Sequence, residues 1–210
     1  MLEWQDYFQL ATLILFSLLV IGRALHLRVV QHINPITIGI GKQGFQKMVE
    51  ICLSLGLALW VVVVLSFALH FEEKLFPAFI NQQLLDERWV KLMGAALLTT
   101  SLIIFILALV SFGNSWRVGI DEKSPGALVS RGIFAVTRNP IFLSLIVYAC
   151  GTFLIQGRLI LLVFAGLIAA GVQYQIVEEE KFLRSRYGQA YAEYTARTGR
   201  YFGFRRSSRV

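Results

Sequence analysis

Long apolar runs, separated by connectors too short to fold alone, limit this chain more than any other feature. The runs cover residues 7–27, 46–71, 89–112, 140–156 and 159 to about 177. A bilayer core roughly 30 Å thick is crossed by about 20 apolar residues in helical form. Lipid offers no partner to an unpaired backbone group, so such runs become helices. The expected fold class is an all-α integral membrane protein with about five transmembrane helices. Composition agrees: 56% hydrophobic residues, 16% charged and a mean hydropathy of +0.64 lie outside the range of soluble domains. With 210 residues, no separate soluble domain fits.

The connectors organise the chain. The first contains Arg28, His32, Asn34, Pro35, Gly39, Gly41 and Lys42, and the second, residues 72–88, has mixed charge and Pro77. The third, 113–139, is the longest. Only Gly157 and Arg158 separate the last two runs, which predicts an antiparallel hairpin. The final helix is expected to outlast the membrane, because the polar stretch from Gln173 to Arg197 contains no breaker except Gly188. Two parts follow: 1–112 with three transmembrane helices, and 113–210 with the long connector, the hairpin and a helix extending into the cytoplasm.

Basic residues set the expected orientation. With five crossings, sixteen of the twenty Lys and Arg fall on one side, which predicts an external N-terminus and a cytoplasmic C-terminus. The net charge of +7 points to anionic lipid rather than nucleic acid, since eight of the basic residues follow Gln173 beside the bilayer. Cys52 and Cys150 lie within apolar runs and behave as small hydrophobes. The first run has Glu3 and Asp6 before it instead of a basic leader, so it is expected to remain in the mature protein.

A site is expected where the third connector meets the polar end of the last helix. Asn139 and Pro140 open a helix, Asn as a cap for backbone amides and Pro in the first turn. The same amides attract an anionic group. Arg138, just before them, has two readings: an arginine snorkelling to headgroups, or a functional group. Glu178, Glu179 and Glu180 at a membrane boundary are costly unless each has a partner or a wet cavity. Helical spacing gives Glu178 to Lys181 and Glu180 to Arg184. No lysine or arginine stands three or four residues from Glu179, so its expected partner is either Arg138 or a cationic ligand. Phe134, Phe142, Tyr174, Phe182 and Tyr187 surround these positions. The sequence contains no metal-ligand cluster, nucleophile-base pair, phosphate loop or dinucleotide fingerprint, and His26, His32 and His70 are scattered.

These residues carry a resemblance. Ser115-Trp116-Arg117-Val118-Gly119-Ile120 is followed by Gly126-Ala127-Leu128-Val129-Ser130-Arg131-Gly132-Ile133-Phe134 and by Arg138-Asn139-Pro140-Ile141-Phe142. Glu179-Glu180-Lys181-Phe182-Leu183, Tyr187-Gly188, Tyr191-Ala192-Glu193-Tyr194, Arg197 and Arg200 complete the order. From 115 to about 202 the chain resembles the isoprenylcysteine carboxyl methyltransferase family, which is related to membrane phospholipid N-methyltransferases.

The resemblance implies S-adenosylmethionine bound at the cytoplasmic face by Leu128, Val129, Phe134, Asn139, Pro140, Ile141, Phe142 and Glu179. Arg138 takes the place of the arginine in the family's Arg-His-Pro motif, near the reacting groups. Asn139 replaces the motif's histidine, and Phe142 its tyrosine. Gln175 stands where prenylcysteine enzymes carry a substrate-binding arginine, which weakens the case for a prenylcysteine carboxylate and leaves the cofactor positions in place. The implied partner is a lipophilic or lipid-attached methyl acceptor. A sulfonium donor also suits an acid bordered by aromatic faces. Two rival readings are a sterol-type reductase using a nicotinamide cofactor, and a non-catalytic membrane protein with the same fold. The reductase would want basic residues where this chain has three glutamates.

Overall fold

A computed structural model describes residues 2–30, 32, 44–113 and 128–203. Residues 34–42, the pieces 115–120 and 126–127, and Arg205, Arg206 and Arg209, on which several expectations rest, lie outside the described residues. The helices are α1 (Trp4–Val30), α2 (Gly44–Ala68), a short α3 (Glu72–Leu75), α4 (Arg88–Phe112), α5 (Pro140–Gln156) and α6 (Leu159–Arg197), with a 3-10 turn at Gly132–Ala135 before α5. Helices α1, α2, α4 and α6 are long and apolar enough to cross a membrane. The fifth, α5, is apolar and has 17 residues. At 1.5 Å per residue it spans about 26 Å, close to the bilayer core. Among the described residues there is no strand, only an isolated bridge between Gln83 and Arg158.

The distribution of polarity is that of a protein dissolved in lipid. Leu18, Leu55, Val110 and Leu167 are exposed, while Gln9, Ser101, Ser144 and Thr152 are fully buried. Water would favour the reverse. Apolar packing between membrane helices gains little over packing against lipid, so close backbone approach and interhelical hydrogen bonds hold the bundle together. Antiparallel α4 and α5 show both. A Cβ on Gly94 would lie 2.8 Å from the Gly151 carbonyl oxygen, and Ser101 Oγ donates to the Ser144 carbonyl at 2.7 Å. Tyr148, beneath the edge of Trp60, links α5 to α1 through Thr12 Oγ1 at 3.1 Å and Gln9 Nε2 at 3.4 Å.

Gly157 and Arg158 form the tight hairpin turn expected, and the second connector closes over it. Leu84 N donates to the Gly157 carbonyl at 2.7 Å, Leu159 N to Gln82 at 3.0 Å, and Arg158 Nη1 to Asn81 at 2.8 Å.

The last helix departs from a straight rod. Gly188, the single breaker in the sequence of its polar half, sits at φ 49°, ψ −118°. Tyr201 Oη then donates to Gln173 Oε1 at 2.5 Å across 28 residues. A straight helix would separate them by about 42 Å. The chain therefore turns back at Gly188 and lays its end against the membrane-proximal part of α6.

Candidate functional site

This return brings residues 194–201 onto the segment before α5. Five hydrogen bonds join the two strips. Tyr194 Oη donates to the Phe134 carbonyl at 2.7 Å, and Thr198 Oγ1 to the Ala135 carbonyl at 3.4 Å. Arg138 N donates to the Gly199 carbonyl at 3.0 Å. The Arg200 carbonyl accepts from Thr137 Oγ1 and Asn139 Nδ2, each at 3.2 Å.

An ion cluster lies beside this junction. Glu180 accepts from Arg200 Nε at 3.2 Å and Nη2 at 2.6 Å, and its Oε1 lies 3.3 Å from Arg138 Nη2. The carboxylate is largely buried and so is the Arg138 side chain, whereas that of Arg200 is 38% exposed. The hydrogen bonds that Arg200 donates to Glu180 hold its guanidinium above its ordinary range. One carboxylate thus faces two guanidinium groups. Arg138 Nε and Tyr191 Oη are buried without a hydrogen-bond partner among the described residues. Tyr191 is within electrostatic range of Glu180, Arg138 and Glu179. The arrangement offers unused donors and local positive charge to an oxygen-bearing ligand.

Several expectations are corrected here. Arg138 does not snorkel to headgroups; it turns inward to Glu180, which relieves the cost of burying both charges. Glu180 pairs with Arg138 and Arg200 instead of Arg184, because the fold-back supplies a better-placed bidentate donor than the exposed helix face. Asn139 precedes α5 but makes no side-chain cap; its amide serves the Arg200 carbonyl. Pro140 occupies the first turn of α5 as expected, and Glu178 pairs with Lys181 at 2.7 Å.

The other candidates spread outward from this cluster. Phe134 is buried and meets Phe112 edge-on at 4.9 Å, while Leu128 and Val129 are half-buried just before the 3-10 turn. Ile141 packs on the Leu27, Phe105 and Leu109 cluster, and Phe142 on the main core. Glu179 adjoins Glu180 on α6. Gln175 lies deeper, where its Nε2 donates to Glu50 Oε1 at 3.0 Å with both residues buried. Sequence reasoning missed Glu50, although a lone carboxylate inside the apolar run 46–71 was a usable signal. It also missed the roles of Thr137, Thr198 and Tyr194 in joining the two strips. Among the described residues, no group of His, Cys, Asp and Glu could hold a metal ion.

The bundle is an integral membrane protein with a polar, charged site at one end, and comparison with known proteins supplies its chemistry. Residues 89–190 match the phospholipid methyltransferase family model. Two relatives named probable protein-S-isoprenylcysteine O-methyltransferase, from Oryza sativa subsp. indica and subsp. japonica, are each 26% identical over 136 residues. The matched part is 63% of this chain and 70% of each relative. These matches support a membrane methyltransferase of the isoprenylcysteine and phospholipid type. The family model's match covers just under half of the chain.

Proposed function

We propose that the protein transfers a methyl group from S-adenosylmethionine to a lipophilic or lipid-attached acceptor at the cytoplasmic membrane face. The observation that carries this reading is the Arg138–Glu180–Arg200 cluster at the start of α5, with unused donors on Arg138 Nε and Tyr191 Oη. These groups fit the carboxylate-bearing, polar end of the cofactor. Leu128, Val129, Phe134, Asn139, Pro140, Ile141, Phe142 and Glu179 would hold it, and when bound it supplies an electrophilic methyl group. Arg138 orients the polar groups near the reacting centre, and Gln175 lies on the acceptor side. The protein's task is mainly positioning, since a water-soluble donor and a lipid-soluble acceptor meet only at the interface. An isoprenylcysteine-like carboxylate is one acceptor compatible with the relatives' names. The family match favours this reading over a reductase.

Calorimetric titration of the detergent-purified protein tests the class. S-adenosylmethionine should bind and a nicotinamide cofactor should not; the opposite result overturns the proposal. Two variants refine it. Glu179→Gln removes charge and keeps shape, so it should weaken S-adenosylmethionine by about 1.5–3 kcal/mol, the range for a hydrogen bond to a charged group. Glu178→Gln, which loses only an exposed helix pair, should leave affinity within about twofold. Equal affinities in the two variants would remove Glu179 from the cofactor site. Arg138→Lys retains the charge but loses the planar fork. It should insert normally and lose turnover at least about tenfold, roughly 1.4 kcal/mol of transition-state stabilisation. Unchanged turnover would make Arg138 purely structural.

A further inference from the structure

We propose that the end of the bundle opposite the ion cluster holds an internal water site beside Tyr148, built from Gln9, Trp60 and Thr152. It does not depend on the methyltransfer reading. Helix direction locates it: α5 leaves the ion cluster at Pro140 and ends at Gln156, and His70, just beyond α2, meets Asp6 near the start of α1 at 3.0 Å. Thr12, Trp60 and Tyr148 each stand eight residues from the far ends of their helices at Trp4, Ala68 and Gln156, a depth of about 12 Å. They also meet there. Thr12 Oγ1 lies 3.1 Å from the Tyr148 hydroxyl, and Trp60 is edge-on to the Tyr148 ring at 5.8 Å.

At this level the hydrogen bonds close on themselves. Thr12 Oγ1 donates to the Gln9 carbonyl at 3.0 Å, so the Tyr148 hydroxyl donates to Thr12 and accepts from Gln9 Nε2 at 3.4 Å. Gln9 Oε1 is left without a donor, and turning the amide over would leave its nitrogen unpaired instead. Trp60 Nε1 lacks an acceptor, and Thr152 Oγ1, one turn further along α5, has no hydrogen-bond partner among the described residues. All three residues are at most 4% exposed. The surrounding lipid has nothing to offer them.

These demands define the ligand. A cation would satisfy Gln9 Oε1 but not the indole N–H, and an anion the reverse. A hydroxyl group both donates and accepts, and water with three partners matches the usual number for a buried water. Gln5 Oε1 and Gln156 Nε2, buried and unpaired one turn nearer the end, mark its route. Beyond them stands the Asp6–His70 pair, in which the His70 side chain is half-exposed.

X-ray hydroxyl-radical footprinting tests the site in the full-length protein, held in nanodiscs of phosphatidylcholine, a lipid without a hydroxyl group. Radicals form from bound water in place, so buried side chains beside water are oxidised. Phe105 is the control, equally buried but packed among Phe16, Leu27 and Leu109. Normalised to intrinsic reactivity, Trp60 and Tyr148 should be labelled at least about tenfold faster than Phe105, whereas chance opening of the core would expose all three alike. Equal rates in the wild-type protein overturn the proposal, and this comparison needs no variant to fold. Thr152→Val removes one partner at nearly constant shape and should slow Tyr148 labelling at least about threefold. An unchanged rate in that variant overturns the three-partner site. Loss of Trp60 and Tyr148 labelling on adding hexadecanol would assign the site to a lipid alcohol and overturn its assignment to water.

Discussion

Glu180→Gln is expected to cost about 3 kcal/mol of stability, at the low end for breaking a buried ion pair because Arg200 is 38% exposed. The glutamine keeps the size of the side chain but leaves Arg138 and Arg200 without their shared counter-charge. The tail beyond Arg197 should then detach, since Arg200 is its charged anchor. Limited trypsin digestion of the variant should cut at Arg197 and Arg200 much faster than in the parent protein, and thermal unfolding in the same detergent should occur at lower temperature. Cofactor affinity should fall as well, because the fold-back supplies one wall of the proposed site. Unaltered digestion together with unaltered unfolding would show that the ion cluster does not hold the tail.

The second large effect is expected at Gly188. Its φ of 49° with ψ of −118° is open to glycine and strained for other residues, at about 1–3 kcal/mol. A Cβ there would meet no atom within 4 Å, so crowding is not the cause. In Gly188→Val the cheaper solution is ordinary helical backbone, which would straighten α6 and carry Arg200 and Tyr201 away from Glu180 and Gln173. Membrane insertion should survive, while S-adenosylmethionine binding drops at least about tenfold, or 1.4 kcal/mol. Gly56→Ala, also in open space but without a positive φ, should bind normally. A valine variant with native affinity would mean that the turn at Gly188 is not needed for the site.

The sequence made the crossings legible because the cost of unpaired backbone in lipid leaves few alternatives to a helix. The start of α5 at Pro140 and the turn at Gly157 follow from local chemistry and were readable for the same reason. The ion cluster was not. Spacing rules see only neighbours on one helix, so they gave Glu180 to Arg184, whereas the partner that takes both its oxygens comes from twenty residues away. Gly188 stood out as a breaker, but its identity does not say which way the chain leaves. Asn139 failed as a cap for a related reason: the Arg200 carbonyl that claims its amide arrives only after the reversal. Glu50 lay hidden in the average of an apolar run.

The seam between α4 and α5 has its own consequence for traffic through the membrane. At Gly94 and Gly151 the helices meet backbone to backbone, so no side chain there can swing aside as a door. Opening that seam would separate two main chains and break the Ser101–Ser144 hydrogen bond. On the proposed function, an acceptor's hydrocarbon tail would instead enter along boundaries closed by movable side chains, such as the one where Leu53 rests on Gly171. Stiffness on one side of the bundle would thus limit the directions from which the bilayer could deliver the proposed substrate.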